Sequence, residues 1–371
     1  MTRDSDNWQD LFSPGGPASS ASVRLWVLRK DGHPFLLLPT RPRLAAQALG
    51  LYPAQTAKAR LAKAVLRVVL QARLPLPLPV VSLRISAQDD FASYLRRRAG
   101  SAPPAFPPMA VLAGNARTPG RRLLVLLFGP DHKPLAVVKA GLTSTGRELI
   151  DREKSFLASV APGTPGVPAL RGDFQSPRIA AFSLDFVEGI SPSSSDETAV
   201  APLLDAWRRE DQLVSVVETA AWRRLAAACP AHPLLDRLTA ALAPRRVHPV
   251  LFHGDFAPWN LKRPRTGGPC VALDWERGEA VGIPGWDWFH FVLQSAILAE
   301  KLPTTAVQRR AEQLLASPAF QSYAARCRVS GAERDLVLAY LIYCVEVLRP
   351  SEGLAATRAL LETLTRPWAN G

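Results

Sequence analysis

The chain has 371 residues, 47% of them hydrophobic and 21% charged; this ordinary globular composition excludes a disordered or fibrous protein and leaves room for two or three domains. Lysine and arginine outnumber aspartate and glutamate 45 to 32, a net charge of +13, which raises nucleic acid or another polyanion as a partner. The excess is mostly arginine, 37 against 8 lysines, a skew that GC-rich coding produces as readily as function does.

Along the chain, the N-terminal residues lack the apolar core of a secretory signal. Residues 21–38 alternate like a strand pair turning at Asp31-Gly32. Residues 54–73 read as a helix with Leu61, Val65, Val68 and Ala72 on one face and Arg60, Lys63, Arg67 and Gln71 on another, the pattern of a helix packed on a neighbour. The most apolar run, Val65 to Leu83, is interrupted by Arg67, Gln71, Arg73 and prolines, so it is too polar to span a membrane. The proline-rich stretch Ser101 to Pro108 reads as a linker, which delimits a small N-terminal α/β accessory module, residues 1–105.

From 106 to 188, strands are expected at Ala110–Leu112, Arg122–Phe128, Leu135–Lys139, Ala169–Asp173 and Ile179–Val187, with a helix over Thr145–Val160. Together they make a five-stranded antiparallel sheet with one helix. From 189 to 371 the pattern is mostly helical, over Glu197–Ala243 and Trp286–Thr365, with strand-like PVLFHG and CVALDW between. The expected fold class is α+β, a two-lobed plan. Cys229, Cys270, Cys327 and Cys344 form no CxxC pair, and no histidine stands at zinc-finger spacing, which argues against disulfides or a zinc site. A reducing cytoplasm is the expected location.

The chemistry concentrates in HGDFAPWN, His253 to Asn260, and VALDWERG, Val271 to Gly278. The pattern H-G-D-x-x-x-x-N arises by chance on the order of once in a thousand chains of this size, and an Asp after an apolar strand some 20 residues later makes coincidence rarer still. Asp255 follows a buried strand, where a base accepting a hydroxyl proton belongs. Asn260 and Asp274 supply the hard oxygens that Mg²⁺ on a nucleotide phosphate requires.

These motifs resemble the kinase-like superfamily, specifically the aminoglycoside phosphotransferase and choline kinase type, over residues 110 to 345. The resemblance implies a protein-kinase-like fold, with Asp255 as catalytic base and Asn260 and Asp274 as Mg²⁺ ligands. Glu276 becomes a second metal ligand as in a D-x-E motif, Asp287 of GIPGWDW a brace for the catalytic loop, and His253 a structural support. HGD and DWE stand where protein kinases carry HRD and DFG, and the short stretch from Asp274 to Pro284 leaves no activation segment, so a protein substrate is disfavoured. Upstream, the resemblance makes Lys139 the phosphate-contacting lysine, with Glu148 or Glu153 as its partner and Glu153 preferred. Gly114 and Gly120 become the phosphate-covering turn, and the backbone of Asp185, Phe186 and Val187 the hinge that binds the base.

The function expected is Mg²⁺-dependent transfer of the γ-phosphate of ATP or GTP to a hydroxyl of a small-molecule or glycan-like acceptor. The helical segments 199–243 and 304–365 hold 11 acids against 12 arginines; the absence of an acidic surplus suits a neutral or anionic acceptor at least as well as a polycation. The rivals are a catalytically silent nucleotide-binding scaffold and a polyanion-binding protein. Nucleic acid is disfavoured because the basic helix carries no interleaved aromatics, while its Arg60, Lys63 and Arg67 leave contact with a membrane surface open.

Overall fold

The computed structural model describes residues 8–13, 20–30, 32–52, 54, 57–102, 105–113, 120–265, 267–350 and 352–368. The chain forms two compact units, Met1–Ser159 with Pro168–Glu188, and Val160–Val167 with Gly189–Gly371.

The first unit is built on one antiparallel sheet of eight strands. In chain order these are β1 (Ser20–Lys30), β2 (His33–Pro39), β3 (Val80–Ser86), β4 (Met109–Leu112), β5 (Arg122–Phe128), β6 (Pro134–Gly141), β7 (Leu170–Gln175) and β8 (Ala180–Asp185). They lie side by side as β3-β1-β2-β4-β5-β6-β8-β7. Side chains alternate across a strand, so Leu123, Val125 and Leu127 of β5 enter one buried cluster while Leu126 and Phe128 enter another. Both faces being covered explains why β5 is a continuous apolar run. Of the helices α1 (Pro42–Ala48), α2 (Ala57–Gln71), α3 (Asp90–Ala99) and α4 (Ser144–Ser159), α1 and α2 contribute to one cluster through Leu44, Ala48 and Leu70. Helix α3 contributes Phe91 and Leu95 to the other.

The five expected strands form, but the sheet does not stop at five. Leu36 and Leu37 of β2 pair with Leu112 and Val111 of β4, so residues 20–86 extend the same sheet and the boundary expected at residue 105 has no counterpart in it. The reason is that β4 would otherwise be an edge, with unpaired backbone donors and acceptors. Two elements lie beyond those expected: strand β3 starts directly after Pro79, and helix α3 is capped by Asp89, which accepts the Ala92 N–H at 2.7 Å. Asp31 of the expected turn lies outside the described residues. Helix α2 differs in orientation. Its inward residues are Leu66 and Leu70, whereas Leu61, Val65 and Val68 are 68%, 55% and 63% exposed.

The second unit carries β9 (Gly189–Ile190), α5 (Glu197–Ala206), β10 (Val214–Ser215), α6 (Ala220–Ala228), α7 (Pro233–Leu242), β11 (Arg246–Val247), β12 (Val250–Phe252), β13 (Leu261–Pro264), β14 (Val271–Ala272) and β15 (Glu279–Gly282). After these come α8 (Trp286–Phe289), running on as a π-helical stretch His290–Ala299, then α9 (Thr304–Ala316), α10 (Pro318–Cys327), α11 (Glu333–Tyr343) and α12 (Leu354–Trp368). Two short pairings matter for the site: β12 with β15, and β13 with β14, where Leu261 faces Ala272. All four cysteines are buried free thiols. Among the described residues no helix is long and apolar enough to cross a membrane.

Candidate active site

Strand β12 delivers the segment His253 to Asn260 to the interior of the second unit. Gly254 adopts φ +77°, and a Cβ there would sit 2.8 Å from Arg277 Cβ. Backbone angle and close approach both demand glycine, which is the local reason the triplet reads HGD. The turn is clamped by Asp287 at the start of α8. Its carboxylate accepts the His253 N–H at 2.7 Å and the Gly254 N–H at 3.0 Å. Burial pushes the Asp287 carboxyl up to about 7 against the two amide hydrogen bonds, which favour the ionised form.

The ring of His253 is fully buried. Its Nε2 lies 2.9 Å from the Leu273 carbonyl, and its Nδ1 accepts the Asp255 N–H at 3.2 Å. One nitrogen donating and the other accepting defines a neutral imidazole, and burial lowers its pKa to about 4. His253 thus ties the loop before Asp255 to the strand end before Asp274 as a fixed strut.

Asp255 keeps 27% of its side chain open to solvent. Oδ2 accepts the Asn260 Nδ2–H at 2.9 Å, and the same amide nitrogen reaches the Asp255 carbonyl at 2.9 Å. Oδ1 is 3.0 Å from His290 Nε2, and His290 Nδ1 is 3.0 Å from the Tyr340 hydroxyl. Burial raises the Asp255 pKa; the hydrogen bond and charge of His290, with Arg277 beyond, outweigh it and hold the carboxyl below the ordinary range. Neither His290 nor Tyr340 was singled out from the sequence. They lie 35 residues and more beyond Asp255, with no spacing signal, although His290 stands two residues after Trp288 of WDW, at the start of the π-helical stretch.

Asn260 and Asp274 are brought together by the β13–β14 pairing, which the Leu273 N–H extends by donating to the Asn260 carbonyl at 2.7 Å. Asp274 then turns at φ +72°, an uncommon left-handed position for a non-glycine residue. With the Asn260 amide nitrogen committed to Asp255, its Oδ1 is the end left to face a cation. An amide oxygen beside a carboxylate suits Mg²⁺, which binds a few protein oxygens and completes its shell with water and phosphate. Glu276 Oε2 is shielded from solvent. Among the described residues no group of three His, Cys, Asp or Glu side chains is gathered to hold a metal without a further ligand.

The remaining candidates belong to the first unit. Lys139 on β6 donates to both carboxylate oxygens of Glu153 on α4, at 2.7 and 2.8 Å, with Glu153 fully buried; Glu148 is exposed. This contact needs α4 to start close over β6, and Gly141 and Gly146 permit it: a Cβ on Gly141 would lie 2.4 Å from the Gly146 carbonyl. Gly120 has φ +71° and lies against Thr145 and Leu149, while Gly114 is outside the described residues. In the expected hinge, Arg98 and Arg171 pair with Asp185. The Phe186 N–H is already donated to the Leu135 carbonyl at 3.0 Å, so of that segment's amides this one is taken by the sheet.

A carboxylate held by an asparagine, a second carboxylate beside that asparagine, and in the other unit a strand lysine on a helical glutamate are the parts of a phosphoryl-transfer enzyme. The model of the phosphotransferase enzyme family, APH, matches residues 138–325, about half of the chain, and the protein belongs to that family: it is a small-molecule phosphotransferase. A search of curated proteins returned no match. Among solved structures, a thermostable mutant of the aminoglycoside phosphotransferase APH(4)-Ia, in ternary complex with ADP and hygromycin B, is 14% identical with TM-score 0.48, covering 75% of this chain and 98% of its own. An ethanolamine kinase from Plasmodium vivax is 10% identical with TM-score 0.47, covering 91% and 95%. A putative fructosamine-3-kinase from Haemophilus somnus is 14% identical with TM-score 0.41, covering 74% and 96%.

Proposed function

We propose that the protein transfers the γ-phosphate of ATP or GTP to a hydroxyl of a small-molecule or glycan-like acceptor, with Asp255 as the base that receives the hydroxyl proton. The observation that carries this reading is the state of Asp255. It is held ionised, oriented at both oxygens, yet still partly open to solvent. Each carboxylate oxygen has a second lone pair, so an acceptor hydroxyl can be bound without displacing Asn260 or His290. Asn260 and Asp274 would hold Mg²⁺, which when bound neutralises charge on the phosphates. Lys139, fixed by Glu153, would brace the phosphates, and the acceptor would sit between the catalytic loop and the helices of the second unit. Most of the rate enhancement would come from positioning and charge neutralisation.

The test is transfer of labelled γ-phosphate from ATP and from GTP to a library of hydroxyl compounds, with wild type beside Asp255→Ala. The expected result is acceptor-dependent transfer that falls by about 10²–10⁴ in the variant, while nucleotide binding persists. Nucleotide binding without any Asp255-dependent transfer would instead establish the catalytically silent scaffold.

A further inference from the structure

The outward face of α2 has no place in the phosphotransfer reading. At 3.6 residues per turn, Leu61, Val65 and Val68 fall within an arc of about 60°, and each is more than half exposed. The exposed Lys58 borders this arc on one side, about 20° beyond it, and the exposed Arg60 and half-buried Arg67 lie about 80–100° beyond its other side. Lys63 is turned inward, donating to the Tyr52 carbonyl at 2.6 Å. Just past the helix, Leu74 is 55% exposed as well. The surrounding sequence has one sign of charge: from Gly32 to Gln88 there are eight lysines and arginines and no aspartate or glutamate.

We propose that α2 is an interfacial helix that lays its Leu61, Val65 and Val68 face into the surface of an anionic lipid bilayer. An apolar stripe edged on both sides by cations matches a surface whose interior is apolar and whose headgroups are negative. The long stems of Lys58, Arg60 and Arg67 let their charges reach the headgroups while the stripe sinks between them. A polyanion such as RNA accounts for the charge but gives three exposed aliphatic side chains nothing to do, and the helix has no aromatic residue for stacking bases. A second copy of this chain accounts for the stripe, but a two-fold contact through α2 brings together two copies of a face whose charges are all positive, with no acid nearby in the sequence to offset them. The inference is independent of the phosphotransfer reading.

Sedimentation of the full chain with vesicles of phosphatidylcholine alone, and of phosphatidylcholine mixed with phosphatidylglycerol, tests it. Wild type is expected to partition onto the mixed vesicles at least about tenfold better than onto the neutral ones, an advantage that shrinks in high salt. Replacing Lys58, Arg60 and Arg67 together by Gln is expected to weaken partition about a hundredfold, at about fivefold per cation. Leu61→Ser/Val65→Ser/Val68→Ser is expected to abolish partition while thermal melting stays unchanged, because the three side chains are already solvated. The proposal is overturned if wild type ignores both vesicles, if the serine variant binds them as well as wild type does, or if RNA is bound equally by wild type and the serine variant. It is also overturned if a lipid-free dimer is found that the serine substitutions dissociate.

Discussion

In the sheet-bearing unit the candidate site centres on a single ion pair, Lys139 with Glu153, made between a strand and the helix that follows it. In the helical unit it is a network: Asp287 holds the turn, His253 bridges to Leu273, Asn260 takes one oxygen of Asp255, and His290 with Tyr340 takes the other. The first arrangement concentrates its energy in two charges that cannot be separated cheaply once water is excluded. The second spreads it over several hydrogen bonds, about 1 kcal/mol for a neutral one and about 1.5–3 kcal/mol for one to a charged group. Loss of one member should therefore be severe for stability in the first case and graded in the second, whereas chemistry should depend most on the second.

The largest expected effect is the Asp255→Ala loss of transfer, which with stability little changed would separate chemical from structural importance. Next comes Lys139→Ala. It leaves a buried carboxylate without its main cation and is expected to destabilise the fold by about 3–5 kcal/mol in urea unfolding, softened if Arg122, 4.0 Å from Glu153, shifts closer. The double change Lys139→Met/Glu153→Met should recover most of that loss. A Lys139→Ala variant as stable as wild type would break the comparison.

The strut histidine gives a pH dependence. Burial holds His253 at about 4 against an ordinary 6.5, so below 6.5 the unfolded chain takes up a proton that the folded chain does not, and stability falls as pH drops toward 4. The total is about 3 kcal/mol. Asp287, raised to about 7, contributes with the opposite sign in the same window, since its stability is lost as pH rises through the folded value. Subtracting the stability profile of His253→Gln from that of wild type cancels Asp287 and isolates the acid limb; parallel profiles would refute the neutral strut. The smallest effect is expected of Tyr340→Phe. It removes one hydrogen bond from His290, about 1 kcal/mol, and should lower kcat severalfold with KM for nucleotide unchanged, while a fall as large as that of Asp255→Ala would make the network as brittle as the ion pair.

Much of the site was legible because its parts are local. Asp255 and Asn260 are five residues apart, Asp274 lies just past the strand that pairs with the one after Asn260, and Lys139 stands in an apolar strand. Glu148 and Glu153 are separated only by packing: both sit on α4, but only Glu153 points at β6 across the Gly141 and Gly146 contact. His290 and Tyr340 were invisible for the same reason, being set against Asp255 by helices that meet only in the folded unit.

The sequence by itself determined the class of chemistry and the α+β plan, because a loop motif of fixed spacing and the alternation of apolar residues along strands are encoded over a few neighbouring positions. Tertiary structure alone decided that strands from residues 20–86 join the sheet, since β2 lies beside β4 by pairing across a long stretch of chain. It also decided which face of α2 is buried. Periodicity shows that a helix has two faces; only the neighbour it packs on selects Leu66 and Leu70 and leaves Leu61, Val65 and Val68 in solvent.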